Sequence, residues 1–362
     1  MATVEKSAPE RRLSIAFVGG GWVSLNRHLP AARAQPELEL VGLLTKPGHL
    51  DRIDREALTR KFGLRHFADR LTEPWFRDGV DAVVIGTPPD THYELTMLCL
   101  GMGKHVLVEK PLAGTVDETR RMIEAARAEG LSLGVVHNFQ FARAPSRALA
   151  SYQAGRLGEL RAVVGFQSSN HRRRLPSWYR ELPLGLFTDE SPHLLYLMLS
   201  FLRDAQPRCI DVGPPIAQSD NTPTHVSAQF ESKEGIPAVL NMFFTGALSE
   251  WHFVLLGSKR TAVVDLFRDV YTELLDDRAH GSLDVLNTSF RGVAAHVLGF
   301  IGSGFRHLSG SMDYGNEEVF RRFTAGVLDG CGMPGIEPEN GEAVVSLMEH
   351  VNEAARGRHR QE

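Results

Sequence analysis

The first 137 residues alternate short, almost wholly apolar runs with stretches of helical character, and that rhythm leaves few folds open. Residues 14–18, 39–44, 82–85, 106–108 and 132–136 read as strands buried on both faces and bounded by turns. Helical segments fall between them, clearest at 91–100 and 115–129. In the second, Thr115 and Glu118 form a capping-box pattern and Gly130 supplies the stop. Parallel strands need crossover connections, which helices supply. The spacing therefore predicts an α/β, doubly wound Rossmann domain over residues 1–137.

The rhythm changes after His137. A helix over 146–154 leads into a long strand over 160–167. Strands over 226–231, 238–245, 251–256 and 261–265 then follow one another with short connections, the mark of antiparallel pairing. Helices over 317–328 and 339–355 close the chain. Residues 138–362 thus read as an α+β domain with a mainly antiparallel, open sheet.

Composition narrows the class. The 362 residues suit two domains, and 43% hydrophobic with 23% charged residues is ordinary for a globular chain with a real core. Forty basic against 44 acidic side chains leaves a net charge of −4, with no basic excess for nucleic acid. The longest apolar stretch, 194–202, is far short of the ~20 residues that span a bilayer. The polar start, 1–12, lacks an apolar signal core. Cys99, Cys209 and Cys331 lie far apart, without metal-ligand spacing or a disulfide framework, so no metal is expected. A cytoplasmic protein is expected.

Directly after the first strand comes Gly19-Gly20-Gly21-Trp22-Val23-Ser24. Gly19 and Gly21 fit the first two glycines of a G-x-G-x-x-G dinucleotide fingerprint, with Ser24 at the last, where only a small residue is needed. Trp22 and Val23 then open the helix whose N-terminus receives the pyrophosphate. The end of the second strand chooses between the two nicotinamide dinucleotides. An acidic residue there would bind the 2′-hydroxyl of NAD, but this chain offers Thr45 and Lys46. A hydroxyl followed by a cation suits a 2′-phosphate, which favours NADP(H) over NAD(H).

From Asp81 the chain reads DAVVIGTPPDTHYELTMLCLGMGKHVLVEKPLAGTVDETRRMIEAA, with the turn Thr87-Pro88-Pro89 before His92, then Gly103-Lys104-His105-Val106 and Glu109-Lys110-Pro111. Together with Gly155-Arg156-Leu157-Gly158 downstream, this resembles the glucose–fructose oxidoreductase/inositol dehydrogenase (Gfo/Idh/MocA) family. The resemblance implies a nicotinamide site that includes Thr87, Pro88, His92, Glu109 and Lys110, followed by a sheet domain. It also implies that Lys110 and the Asp-x-x-x-His pair matched by Asp189 and His193 work beside the nicotinamide.

Those three also make chemical sense. Oxidising an alcohol requires a base for the hydroxyl proton, and histidine titrates nearest neutral pH. Ser191 and Pro192 look like an N-cap and first helical residue, which would put His193 at a positive helix end that favours its neutral form. Lys110 would stabilise alkoxide character, and Asp189 would orient Lys110 or His193. With 33 arginines and only seven lysines in the chain, a lysine at 110 suggests that a compact ammonium is wanted there.

The chain departs from the family's usual pattern at Ser191, often glycine, and at Tyr196, where an aspartate is usual. Gln140 stands in place of a common arginine and is a candidate substrate contact. A basic loop holding Arg172 and Arg174, followed by Trp178 and Tyr179, could clamp a phosphate or carboxylate between aromatics; the alternative is a solvated turn or subunit contact.

The expected function is an NAD(P)-dependent dehydrogenase or reductase acting on the CH–OH groups of a sugar, cyclitol or sugar derivative. The alternatives are a non-catalytic dinucleotide-binding regulator on the same scaffold, or a redox-assisted lyase or glycosidase with tightly held cofactor. The expected partners are a small-molecule substrate, no nucleic acid and no membrane. A homodimer or homotetramer through the second-domain sheet is expected, because an open sheet has one face that must be covered.

Overall fold

The structure is a computed structural model that describes residues 12–358 apart from His171, Arg174, Arg278 and Ser311. The chain divides into two compact units. One holds the residues up to His137 together with Asn316–Glu342, the other Asn138–Gly315 with the residues from Ala343 onward.

In the first unit, β1 (Leu13–Val18), β2 (Leu38–Leu44), β3 (His66–Ala68), β4 (Ala82–Ile85), β5 (His105–Val108) and β6 (Leu133–Val135) form one sheet. Its order is β3-β2-β1-β4-β5-β6, and every pair is parallel. This is the doubly wound order, in which the strand sequence reverses between β1 and β4. The strands are buried because helices cover both faces, and this explains their unbroken apolar runs. The capping box forms as expected: Thr115 Oγ1 accepts from the Glu118 N–H while Glu118 reaches back to the Thr115 N–H, and the helix runs Val116–Ala128.

The sequence pattern assigned residues 316–342 to the second domain, whereas their contacts are with the first. Helix Asn316–Asp329 sets Phe320 against Phe17 and His28, at ring separations of 6.5 and 6.0 Å. Beyond it the Val135 N–H donates to Ile336 O, so the chain pairs with the outer edge of β6.

The second unit is built on β7 (Leu160–Asn170), β8 (Gln206–Val212), β11 (His225–Glu231), β12 (Pro237–Phe243), β13 (Thr245–Gly257), β14 (Arg260–Asp265) and β15 (Val270–Leu275). A two-stranded ribbon, β9 (Pro215–Ala217) and β10 (Asp220–Pro223), stands apart. The large sheet runs β15-β14-β13-β7-β12-β11-β8, antiparallel except where β12 lies parallel to β7. Helix Leu186–Phe201 packs Leu194, Leu195, Met198 and Phe201 into the core shared with Val163, Leu240, Phe253 and Leu255. The opposite face leaves Phe166, Phe243 and Leu256 over a third exposed. A helix the sequence pattern did not announce, Ser282–Leu308, follows β15.

Candidate active site

The glycine turn is shaped by close approach. Gly19 has φ +109°, and a methyl placed on it would lie 2.5 Å from the Gly86 carbonyl oxygen. Gly86 is pressed in turn, since a methyl there would meet Ser24 Oγ at 2.5 Å. Ser24 therefore answers the need for a small residue where the helix leaves the turn against the end of β4. Gly20 donates its N–H to Thr45 Oγ1 at 3.1 Å, while a methyl on Gly21 would meet nothing within 4 Å. The backbone at Gly21 is thus open to a ligand. Trp22 and Val23 are exposed at the helix start. The next turn, Ser24–His28, is a π-helical step in which Leu29 N–H reaches Ser24 O, just ahead of Pro30, which has no N–H to give.

That step aims His28 inward. Its Nε2 lies 2.8 Å from Glu109 Oε1, and Glu109 Oε2 accepts from the Lys110 N–H at 3.0 Å. Burial pushes the Glu109 carboxyl up, but the hydrogen bond to His28 and the charges of His28, Lys110 and His92 outweigh it and hold the group below its ordinary range. An ionised Glu109 therefore ties the helix of the glycine turn to the backbone that carries Lys110.

His92 makes a second strap. Nδ1 is 2.7 Å from Pro111 O and Nε2 is 3.0 Å from Thr87 O, so the ring joins the Thr87-Pro88 turn to the residues after Lys110. Burial lowers its pKa against the pull of these carbonyls and Glu109. The Thr91 hydroxyl lies 2.7 Å from both Thr87 Oγ1 and Pro88 O, which tightens the same turn. Lys110 itself is half-buried. His137, at the end of this unit, is pushed down to about 3 by burial and stays neutral at physiological pH.

At the end of β2 the two residues expected near the adenosine part company. Thr45 is buried and spends its hydroxyl on the Gly20 N–H, whereas Lys46 is exposed. Glu39 pairs with Arg65 at the far end of the strand.

In the second unit, Asp189 and His193 both lie inside helix Leu186–Phe201, four residues apart on one face. Ser191 is not an N-cap, and His193 is not in the first turn. The helix starts at Gly185, whose φ is +52°, and the Leu186 N–H donates to Thr222 Oγ1 at 2.9 Å. A threonine from β10 thus provides the cap, and Pro192 sits within the helix. The argument from a positive helix end does not hold for His193. What surrounds it is aromatic: Phe139 edge-on at 4.7 Å and Trp251 at 5.4 Å. Its Nδ1 is 2.8 Å from Tyr196 Oη, which also accepts from the Phe139 N–H at 2.9 Å.

Glu190, which sequence reasoning passed over, is the buried acid of this helix. It accepts from Gln167 Nε2 at 2.7 Å and Ser169 Oγ at 2.6 Å, and it pairs with Arg173. Burial works against the Arg173 charge, and nearby Asp189 supports it. The available signal was a second carboxylate, next to Asp189 and three residues before His193, at the head of an apolar run.

The remaining candidates separate. Arg172 is exposed, and Arg174 lies outside the described residues. Trp178 is partly buried against the core, whereas Tyr179 is within it with its hydroxyl on Asp220 at 2.7 Å. Gln140 accepts from Ser200 Oγ at 3.4 Å. Glu250, His252 and Asp265 bring ligand atoms within 4.8 Å of one another, but Arg268 already supplies the positive charge to both carboxylates.

Comparison with known proteins bears on the first unit most directly. Residues 13–137 match a family model described as an oxidoreductase family with an NAD-binding Rossmann fold. The chain is 34% identical to dTDP-3,4-didehydro-2,6-dideoxy-alpha-D-glucose 3-reductase of Streptomyces violaceoruber, over 42% of this chain and 43% of that protein. It is 28% identical to 1,5-anhydro-D-fructose reductase of Ensifer adhaerens, over 51% of this chain and 56% of that protein. The chain therefore spans about half the length of these curated relatives. Its fold is similar to that of the WlbA dehydrogenase from Bordetella pertussis, solved with NADH and UDP-GlcNAcA, with a TM-score of 0.73, 19% identity, and coverage of 96% of this chain and 97% of that one.

Proposed function

We propose that the protein belongs to the Gfo/Idh/MocA oxidoreductase family, whose NAD-binding Rossmann-fold model residues 13–137 match, and that it is an NAD(P)-dependent dehydrogenase or reductase acting on a hydroxyl or keto carbon of a sugar, cyclitol or sugar derivative. The observation that carries this reading is the glycine turn at the β1/β4 reversal, with Gly19 wedged against Gly86 and the backbone at Gly21 left open. Ligands of doubly wound sheets bind at that reversal, and a pyrophosphate needs open backbone at a helix start. The sugar-directed names of the relatives support the substrate class.

Bound nicotinamide supplies the site that gives or takes the hydride. The chain's own residues do the rest. His193 exchanges the hydroxyl proton at Nε2 while Tyr196 holds Nδ1. Lys110 donates a hydrogen bond to the substrate oxygen, and its backbone is steadied by Glu109 and the His92 strap. Asp189 orients the charged groups around it. Gln140, Arg172 and Trp178 are the proposed substrate contacts on the second unit. The oligomer forms through the outer face of the second-domain sheet, and the enzyme works in the cytoplasm.

NADP(H) is the proposed cofactor. With Thr45 committed to the glycine turn, Lys46 is the group left to meet a 2′-phosphate, and residues 44–50 contain no carboxylate to bind a 2′-hydroxyl. Parallel titrations of NADPH and NADH are expected to show tighter NADPH binding, and Lys46→Ala is expected to weaken NADPH about tenfold with NADH unchanged. Tighter NADH binding would overturn the phosphate assignment. Binding of neither, with no cofactor already on the protein, would overturn the dehydrogenase reading. Turnover of a panel of sugars and cyclitols, followed at the reduced-nicotinamide absorbance band, then identifies the substrate.

A further inference from the structure

Helix Ser282–Leu308 is packed the opposite way from a normal surface helix. It turns its smallest residues toward its own unit. A methyl on Gly299 would come within 2.8 Å of Val270, and one on Gly292 would touch Leu274 at 3.7 Å, so the helix lies along β15 through a glycine stripe. Its large apolar side chains point away. Leu283 is 81% exposed, Phe290 74%, Phe305 76% and Leu308 91%. Ser303 is the one helix residue that is fully buried.

The outward stripe has an internal symmetry. Leu286 and Phe305, Phe290 and Ile301, and Val293 and Leu298 each lie equally far from the midpoint between Ala295 and His296. The end residues Leu283 and Leu308 do the same. The spacing therefore reads alike in both directions. Two such helices crossing antiparallel at that midpoint bring these four apolar pairs together over about 40 Å, while the exposed Val285 and Phe300 fall opposite Arg306 and Arg291. An identical face meeting itself is what a two-fold axis requires. The exposed apolar area on the helix is of order 1,000 Å², enough for the ~800 Å² per partner of a stable interface. The helix carries no lysine and only Asp284, Arg291 and Arg306 as full charges. That is too little to steer a charged partner, and it lacks the basic face of a membrane-surface helix.

We propose that this helix is a self-association surface, on which a second copy of the chain packs antiparallel about a two-fold axis. The inference is independent of the dehydrogenase reading and of the sheet face.

The test is the mass of the full-length protein in solution by light scattering, wild type against the double variant Phe290→Glu/Leu298→Glu. Wild type is expected at two or more copies and the variant at half the wild-type mass, with unchanged helix and strand content by circular dichroism because both side chains are exposed in one copy. The control Phe243→Glu, on the sheet face, keeps the helix-paired dimer. A second arm does not depend on the acidic variant folding. With Cys209 and Cys331 replaced by serine, Phe290→Cys/Ile301→Cys is expected to give a covalent dimer on oxidation with diamide, because both residues lie along the middle of the stripe, only about 20° apart around the helix, and each meets the other across the axis. A monomeric wild type, an unchanged mass in the Phe290→Glu/Leu298→Glu variant, or failure of the cysteine pair to cross-link would overturn the proposal.

Discussion

His193→Ala is expected to lower turnover about 10²–10⁴-fold, the range for loss of a general acid–base, while dinucleotide affinity stays within about a factor of two. The reason for the split is that His193 belongs to the second unit, whereas the glycine turn, Thr45 and Lys46 belong to the first. The side chain is nearly buried among Phe139, Trp251 and Tyr196, so truncation also leaves a cavity. His193→Gln, which keeps volume and a polar end, separates that effect from chemistry. Both variants are expected to lose turnover, with the alanine also losing melting temperature. Wild-type turnover in the glutamine variant would remove His193 from the reaction.

Tyr196 provides the finer test. Its hydroxyl holds His193 Nδ1 and accepts the Phe139 N–H, so it fixes the ring's direction and biases its tautomer. Tyr196→Phe keeps the packing and removes both bonds. About a tenfold loss in kcat is expected, with KM little changed and the pH–rate profile displaced, since the ring loses its hydrogen-bond partner at Nδ1. A structural role alone would lower the melting temperature and leave the profile where it was.

How much of this was legible in the sequence depends on whether the cause of each feature is local. The five apolar runs of the first unit, the Thr115–Glu118 cap and the glycine turn are set by neighbours within a few residues, and they stand where the pattern put them. β3 escaped because it is three residues long and carries His66, stacked on Trp75 at 4.9 Å. The start of helix Leu186–Phe201 was misplaced because its cap, Thr222, comes from a distant ribbon, while Ser191-Pro192 imitates a local one. Helix Ser282–Leu308 contains Gly292, Gly299, Gly302 and Gly304, which read as breakers. In place, Gly299 is the residue that lets the helix backbone approach Val270. Tyr179 looked like a ligand platform because an exposed and a buried tyrosine have the same letter; Asp220 decides between them. Glu190 shows the converse, a carboxylate whose buried partners lie on a strand more than 20 residues away.

Gly19→Ala is expected to weaken dinucleotide binding at least ~100-fold and to lower stability by about 2–4 kcal/mol, from left-handed strain plus a backbone collision. At φ +109° an alanine is strained wherever its methyl points. That methyl would also meet the Gly86 carbonyl oxygen at 2.5 Å, and Gly86 cannot retreat because Ser24 and His28 stand behind it. The turn has to open. Opening it pulls the Gly20 N–H from Thr45 and shifts the helix that carries His28 to Glu109, so the disturbance reaches the Lys110 backbone as well. Gly21→Ala is the informative contrast. Its methyl would enter open space, so the fold should keep its melting temperature, while a pyrophosphate lying against that backbone should be displaced. Loss of binding in both variants, with loss of stability in the Gly19 variant alone, identifies the turn as the dinucleotide seat. Full binding by both would place the dinucleotide elsewhere and remove the observation on which the functional reading rests.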